Sequence, residues 1–133
     1  MIVPAADAAM NGLRACVLVV DDEILIAELW CMILEDMQID VCGIANNAAS
    51  AIALANQFRP KVVLMDVRLE GPVDGVDAAI AIHRAVGSRV IFITGSRDSP
   101  TIARIQAVRP ARVLFKPLGD GQLQDAVAAA LQG

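Results

Sequence analysis

Four apolar runs of this chain end in side chains that can do chemistry. Cys-Val-Leu-Val-Val is followed by Asp21 and Asp22, Val-Val-Leu-Met by Asp66, Val-Ile-Phe-Ile by Thr94, and Val-Leu-Phe by Lys116. Three carboxylates gathered in one place repel one another and raise each other's pKa. A hard divalent cation relieves that repulsion, and an all-oxygen ligand set completed by waters is what Mg²⁺ prefers. An ammonium and a hydroxyl beside such a site could surround a phosphoryl group and neutralise its equatorial oxygens. One carboxylate would then be free to act as nucleophile and form an acyl phosphate. Asp66 stands alone behind its run and is the expected nucleophile, whereas the Asp21-Asp22 pair is better suited to hold metal.

The elements that would bring these groups together are legible. Short apolar runs rich in β-branched residues occur at 16–20, 41–44, 62–65, 90–93 and 113–115. They suit strands buried on both faces, as in a parallel sheet. Between and after them lie stretches with helical spacing, at about 23–36, 48–57, 76–86, 99–107 and 120–131. Five strand–helix pairs in strict alternation predict an α/β fold, a doubly wound five-stranded parallel sheet with right-handed crossovers. Asn46, Asn47 and Ser50 offer caps for the second helix and Pro60 stops it. Pro100 suits the start of the fourth helix. Gly119 and Asp120 are expected to open the last. In an open parallel sheet ligands bind outside the carboxyl ends of the strands, which is where all five polar groups fall.

Each group also has a blander reading. Asp21-Asp22 ahead of a helix could serve only as a cap and as favourable charge on the helix dipole. An Asp after a strand is commonly a turn residue, and Thr-Gly and Lys-Pro are ordinary in loops. The conjunction, in order and each at a strand end, favours a common site.

The segments Cys16-Val17-Leu18-Val19-Val20-Asp21-Asp22-Glu23, Val62-Val63-Leu64-Met65-Asp66-Val67-Arg68-Leu69, Asp74-Gly75, Val90-Ile91-Phe92-Ile93-Thr94-Gly95 and Leu114-Phe115-Lys116-Pro117 resemble the response-regulator receiver domain of two-component signalling. The resemblance covers about residues 14 to 131 and implies a flavodoxin-like (βα)5 fold. It implies Asp66 as phosphoacceptor, with Mg²⁺ held by Asp22 directly, by Asp21 chiefly through water, by Asp66 and by the backbone carbonyl of Arg68. It also implies Thr94 as switch hydroxyl and Lys116 as the ammonium that pairs with the phosphoryl group. The donor would be a phosphohistidine on a sensor histidine kinase or a histidine phosphotransfer protein. Such a chain is no enzyme on other substrates; it catalyses only its own phosphoryl uptake and loss. Two departures stand out. Val113 occupies the switch position where the family usually has an aromatic, and Phe115 is expected on the opposite strand face, unable to replace it. The loop after Asp66 is one residue longer than usual, with Glu70 where proline is frequent.

Composition bounds the rest. The chain has 133 residues, 56% hydrophobic, 20% charged and 3% aromatic, with a net charge of −4. That excludes a disordered chain and leaves no electrostatic footprint for nucleic acid or an anionic membrane. No apolar run approaches the roughly 20 residues of a membrane span. Residues 1–13 read as a leader without the basic start of a signal peptide, and 14–133 as a standalone receiver in the cytoplasm. Cys16, Cys31 and Cys42 have no metal-site spacing and read as buried small hydrophobes. His83 reads as a surface residue. Arg97, Arg104, Arg109 and Arg112 form a solvated basic face open to an acidic partner.

The first helical stretch is unusually apolar, ten of its fourteen residues, more than one buried stripe needs. Ile26, Leu29, Trp30 and Ile33 are therefore expected at an interface, with a second copy of the chain or with a kinase-type helix. The alternative function is a pseudo-receiver, an interaction or dimerisation module independent of phosphorylation. A phosphatase working through an aspartyl phosphate is disfavoured because Arg68 stands where a second acid is needed.

Overall fold

The computed structural model describes residues 12–132; most of the leader lies outside the described residues. The elements follow in chain order: β1 (Arg14–Val20), α1 (Ile24–Asp36), β2 (Asp40–Ala45), α2 (Ala48–Phe58), β3 (Pro60–Asp66), α3 (Gly75–Ala85), β4 (Arg89–Thr94), α4 (Ser99–Ala107), β5 (Arg112–Phe115) and α5 (Gln122–Gln132). All strand pairs are parallel, in the order β2-β1-β3-β4-β5. This is the expected α/β sheet, and its order reverses beside β1, which places a crevice at the carboxyl ends of β1 and β3.

Alternation along each strand divides the core into two halves. Val17, Val19, Val62, Leu64, Ile91, Ile93 and Leu114 face Ala27, Trp30 and Leu34 of α1 and Leu123, Ala126 and Val127 of α5. Leu18, Val20, Val63, Met65, Val90 and Phe92 face Ala51 and Ala55 of α2, Ala79 and Ile82 of α3 and Ile105 of α4. Phe92 is the largest fully buried side chain; truncating it to alanine would cost about 3–5 kcal/mol. Among the described residues no helix is long and apolar enough to cross a membrane.

Local chemistry explains the boundaries. Asn47 caps α2 by accepting the Ser50 N–H at 2.8 Å. Arg59 then turns left-handed, with φ of 50°, and Pro60 begins β3. Asp98 caps α4 by accepting the Thr101 N–H, with Pro100 in the first turn. The last helix starts later than Gly119-Asp120. Those residues lie in a turn in which the Gln122 side chain accepts the Gly119 N–H at 2.6 Å, and helix geometry sets in at Gln122.

Candidate phosphoryl and metal site

The strand ends deliver the side chains. Asp21 follows β1, its N–H donating to the Ala45 carbonyl on β2 at 3.1 Å. Its Oδ1 accepts the Glu23 N–H at 2.9 Å, and the carboxylate is 1% exposed. Part of the blander reading is thus real, because one Asp21 oxygen does organise the turn into α1. The other oxygen, Oδ2, is left for Lys116, whose Nζ lies 3.6 Å away. Asp66 is the last residue of β3. Its Oδ1 accepts the Arg68 N–H at 3.3 Å, and its Oδ2 lies 3.7 Å from the same Nζ. Asp22 is exposed, and one carboxylate oxygen from each of Asp21, Asp22 and Asp66 falls within 4.8 Å of the others. Lys116 is fixed by its own N–H, which donates to the Thr94 carbonyl at 2.9 Å.

Burial pushes the Asp66 carboxyl up to about 6. Lys116 and the Arg68 N–H pull it down, while Asp21 and Asp22 add like charge that raises it. The donor set fits a hard divalent cation: three carboxylates, no nitrogen or sulfur, one of the acids at the solvent boundary where waters can complete the shell.

Thr94 ends β4, 1% exposed, and its Oγ1 accepts the Ser96 N–H at 3.0 Å. Ser96 was not singled out in the sequence, yet it links the site to the rest of the fold. Its Oγ donates to Asp98 at the start of α4 at 3.1 Å and accepts from the Arg68 guanidinium at 3.4 Å. Gly75 belongs to the Asp74-Gly75 segment noted in the sequence, but its steric role is visible only in the fold. Its N–H donates to the Val67 carbonyl at 2.8 Å, and a Cβ there would run into the carbonyl oxygen of Asp66. The long loop after Asp66 closes through that contact and through a bridge between Glu70 and Asn47.

Phe115 overturns an expectation. Residues 113 and 115 are two apart on one strand, and a two-residue step returns a side chain to the same face. Val113 packs with the α2–α4 half of the core and Leu114 with the other half. Phe115 accordingly lies on the Val113 side, under the guanidinium of Arg97. The basic face is also smaller than expected, because Arg104 pairs with Asp74 at 2.7 Å and Asp77 at 3.2 Å. His83 is exposed, as expected.

On α1 the expected interface set divides. Leu29 is exposed and Ile26 and Ile33 are half-buried, but Trp30 is turned into the core at 9% exposure. The outward apolar residues are Ile24, Leu25, Leu29 and Met32. A groove of about 580 Å³ runs between α1 and the turn after Lys116.

The model of the response regulator receiver domain matches residues 17–128. The chain belongs to this family. This receiver is 29% identical over 119 residues to the transcriptional regulatory protein LiaR of Bacillus subtilis, an overlap covering 88% of the chain and 56% of that regulator. It spans from about a fifth to about half of the length of the curated relatives it matches. The solved signal receiver domain of a modulated diguanylate cyclase from Desulfovibrio desulfuricans is 34% identical, with a TM-score of 0.82 over 87% of this chain and 92% of that one. A CheY-like receiver domain protein from Methanospirillum hungatei, 21% identical, shares the fold, with a TM-score of 0.80 over 90% and 94% of the two chains. The chain is a response-regulator receiver of two-component signalling.

Proposed function

We propose that Asp66 accepts a phosphoryl group from a phosphohistidine, on a sensor histidine kinase or a phosphotransfer protein, and that the modified receiver binds its partner differently. The observation that carries this reading is the position of the Lys116 ammonium between the Asp21 and Asp66 carboxylates, with Asp22 as the third acid. Asp21, Asp22 and Asp66 would hold Mg²⁺, with the Arg68 carbonyl as the ligand the family resemblance adds. When bound, the ion supplies the positive charge that lets three acids and a phosphoryl group share one cleft.

The chain's own groups divide the remaining work. Asp66, with a pKa of about 6, is mostly ionised at neutral pH and so is a nucleophile. Its Oδ1 is steadied by the Arg68 N–H. The Thr94 oxygen already accepts from Ser96, so its own proton is free to be donated to a phosphoryl oxygen. Lys116 can follow the new charge, since its ammonium has three donors and, among the described residues, is held by ion pairs at 3.6 and 3.7 Å. A Thr94 drawn toward the phosphoryl group pulls on Ser96, and through Asp98 on the start of α4, which biases the receiver between two states. The exposed Leu25, Leu29 and Met32 and the neighbouring groove support an apolar contact on the α1 side, with the donor's helix or with a second copy.

The test is incorporation of phosphoryl from a small phosphodonor, read as intact mass. The wild-type chain is expected to gain one phosphoryl group in Mg²⁺ and none in EDTA, and Asp66→Asn to gain none. Equal labelling of Asp66→Asn overturns the acceptor. An unlabelled wild type under all conditions leaves the phosphorylation-independent interaction module as the function.

A further inference from the structure

β2 carries one more residue than β1 where the two strands pair. Cys16 aligns with Asp40 and Val17 with Val41, but the next pair is Leu18 with Gly43. Cys42 is the residue left over, a bulge position without a partner opposite it. Bulges re-aim side chains, and here the Cys42 Sγ comes to lie 2.6 Å from the Cys16 Sγ. Both sulfurs are free thiols. Cys16 is buried, at 7% exposure, and Cys42 is half-buried on the edge strand. Cys31 belongs to α1 and packs with the core half on the other side of the sheet from Cys42, so it takes no part.

Packing alone does not require this arrangement. Here two nucleophilic sulfurs on adjacent strands are joined by a hydrogen bond. We propose that Cys16 and Cys42 are a two-electron oxidation site for hydroperoxides, closing a covalent link between β1 and β2. The site lies away from the carboxylate cluster and does not depend on the phosphoryl reading.

The chemistry follows from the pair. With both protons present, Cys16 donates to Cys42. Once one proton leaves, the remaining thiol hydrogen of Cys42 stabilises a Cys16 thiolate. That hydrogen bond holds Cys16 below its ordinary value against the opposing effect of burial, with Arg14 assisting. Cys42 is correspondingly driven up by its bond to Cys16 and by burial. The thiolate is the reactive form. Cys16 attacks one peroxide oxygen and the O–O bond breaks. The departing oxygen takes the Cys42 proton and leaves as water or an alcohol, and Cys16 becomes a sulfenic acid. The Cys42 thiolate then attacks the Cys16 sulfur; the S–S bond forms, the S–O bond breaks and hydroxide leaves. The two thiols lose two electrons and the peroxide gains them.

The experiment is peptide mass spectrometry of the fully reduced, full-length chain after stoichiometric hydrogen peroxide and alkylation of the remaining thiols. The expected product joins the Cys16 and Cys42 peptides with loss of two hydrogen masses, and Cys31→Ser leaves its yield unchanged. Cys42→Ser exchanges a single half-buried atom and so keeps the fold, and its hydroxyl can still donate to a Cys16 thiolate while offering no sulfur to resolve a sulfenic acid. In it, Cys16 is expected to stop at a sulfenic acid that dimedone traps, while dimedone traps at least tenfold less in the wild type. Three alkylated thiols after peroxide, oxidation at Cys31 ahead of the pair, or the same dimedone yield in both proteins would overturn the proposal.

Discussion

The guanidinium carbon of Arg97 sits 4.3 Å from the centre of the Phe115 ring. Arg97 lies in the loop between Thr94 and α4, and Phe115 immediately precedes Lys116, so the stack joins the loop that follows the hydroxyl to the strand that precedes the ammonium. Val113 cannot provide this link, being aliphatic and packed into the core half shared with α2–α4.

Phe115→Ala is therefore expected to loosen the loop at 95–98. A cation–π contact at an exposed site is worth about 0.5–1 kcal/mol, so amide exchange in that loop should quicken by roughly two- to fivefold in the unmodified protein. Beryllofluoride with Mg²⁺, an acyl-phosphate mimic, should slow exchange at the start of α4 less in the variant than in the wild type. Uptake of phosphoryl from a small donor should stay within about a factor of two, since Phe115 is not among the groups that meet the phosphoryl. Unchanged exchange in both states would show that the stack couples nothing.

Lys116→Met removes the positive charge shared by Asp21 and Asp66. Phosphoryl uptake at Asp66 should fall by about 10²–10³, the usual cost of removing a group that stabilises developing charge. The same change should move the Asp66 titration, followed by carbon NMR in EDTA, above its value of about 6, because Lys116 is the leading influence holding it down. Lys116→Arg should keep the titration nearer its wild-type position while still slowing uptake, since a planar fork is not a compact point charge. A titration that moves down in Lys116→Met would contradict the assigned geometry.

The site was readable because a parallel sheet confines its polar groups to one rim. Once the runs ending in Asp21, Asp66, Thr94 and Lys116 are parallel neighbours, their carboxyl ends must converge, and an apolar run ending in a lone polar residue marks each end. Ser96 and Gly75 left no such mark. Ser96 acts through hydrogen bonds to Thr94, Asp98 and Arg68, and these depend on loop shape. Gly75 matters because the long loop returns its Cα onto the Asp66 carbonyl. Trp30 was legible as apolar but not in direction. α1 is apolar on nearly every side, so its periodicity does not say which stripe is buried, and α5 decides by packing on Trp30's side.

Asp66 also sets a pH dependence. Its carboxyl binds a proton more tightly in the fold, with a pKa of about 6, than at its ordinary value of 3.8. Between those values the folded state carries more protons than the unfolded chain, so stability falls as pH rises through the window, and the loss is complete above it. Asp66→Asn removes the buried charge. In EDTA it should be more stable than wild type at pH 8 by on the order of 2 kcal/mol, with the difference gone near pH 4. Urea denaturation at the two pH values measures this. Saturating Mg²⁺ should narrow the gap at pH 8, since the ion binds the folded wild type preferentially. An equal gain at both pH values would mean that the substitution acts through packing and not through charge.

Gly75 and Gly95 make a matched pair of tests, because both lie close to the site and only one is crowded. Gly75→Ala sets a Cβ against the backbone of Asp66 and Val67, and backbone cannot swing aside as a side chain tip can. The change should destabilise the fold by about 2 kcal/mol or more. It should also slow phosphoryl uptake, because the loop can relax only by shifting the strand end that carries Asp66. Around Gly95 a Cβ meets nothing within 4 Å. Gly95→Ala should therefore stay within about 0.5 kcal/mol of wild type in stability. Urea midpoints and uptake rates from one small donor, measured on both variants, decide the matter. Equal effects at the two glycines would show that the Asp66 carbonyl is not what excludes a side chain at Gly75.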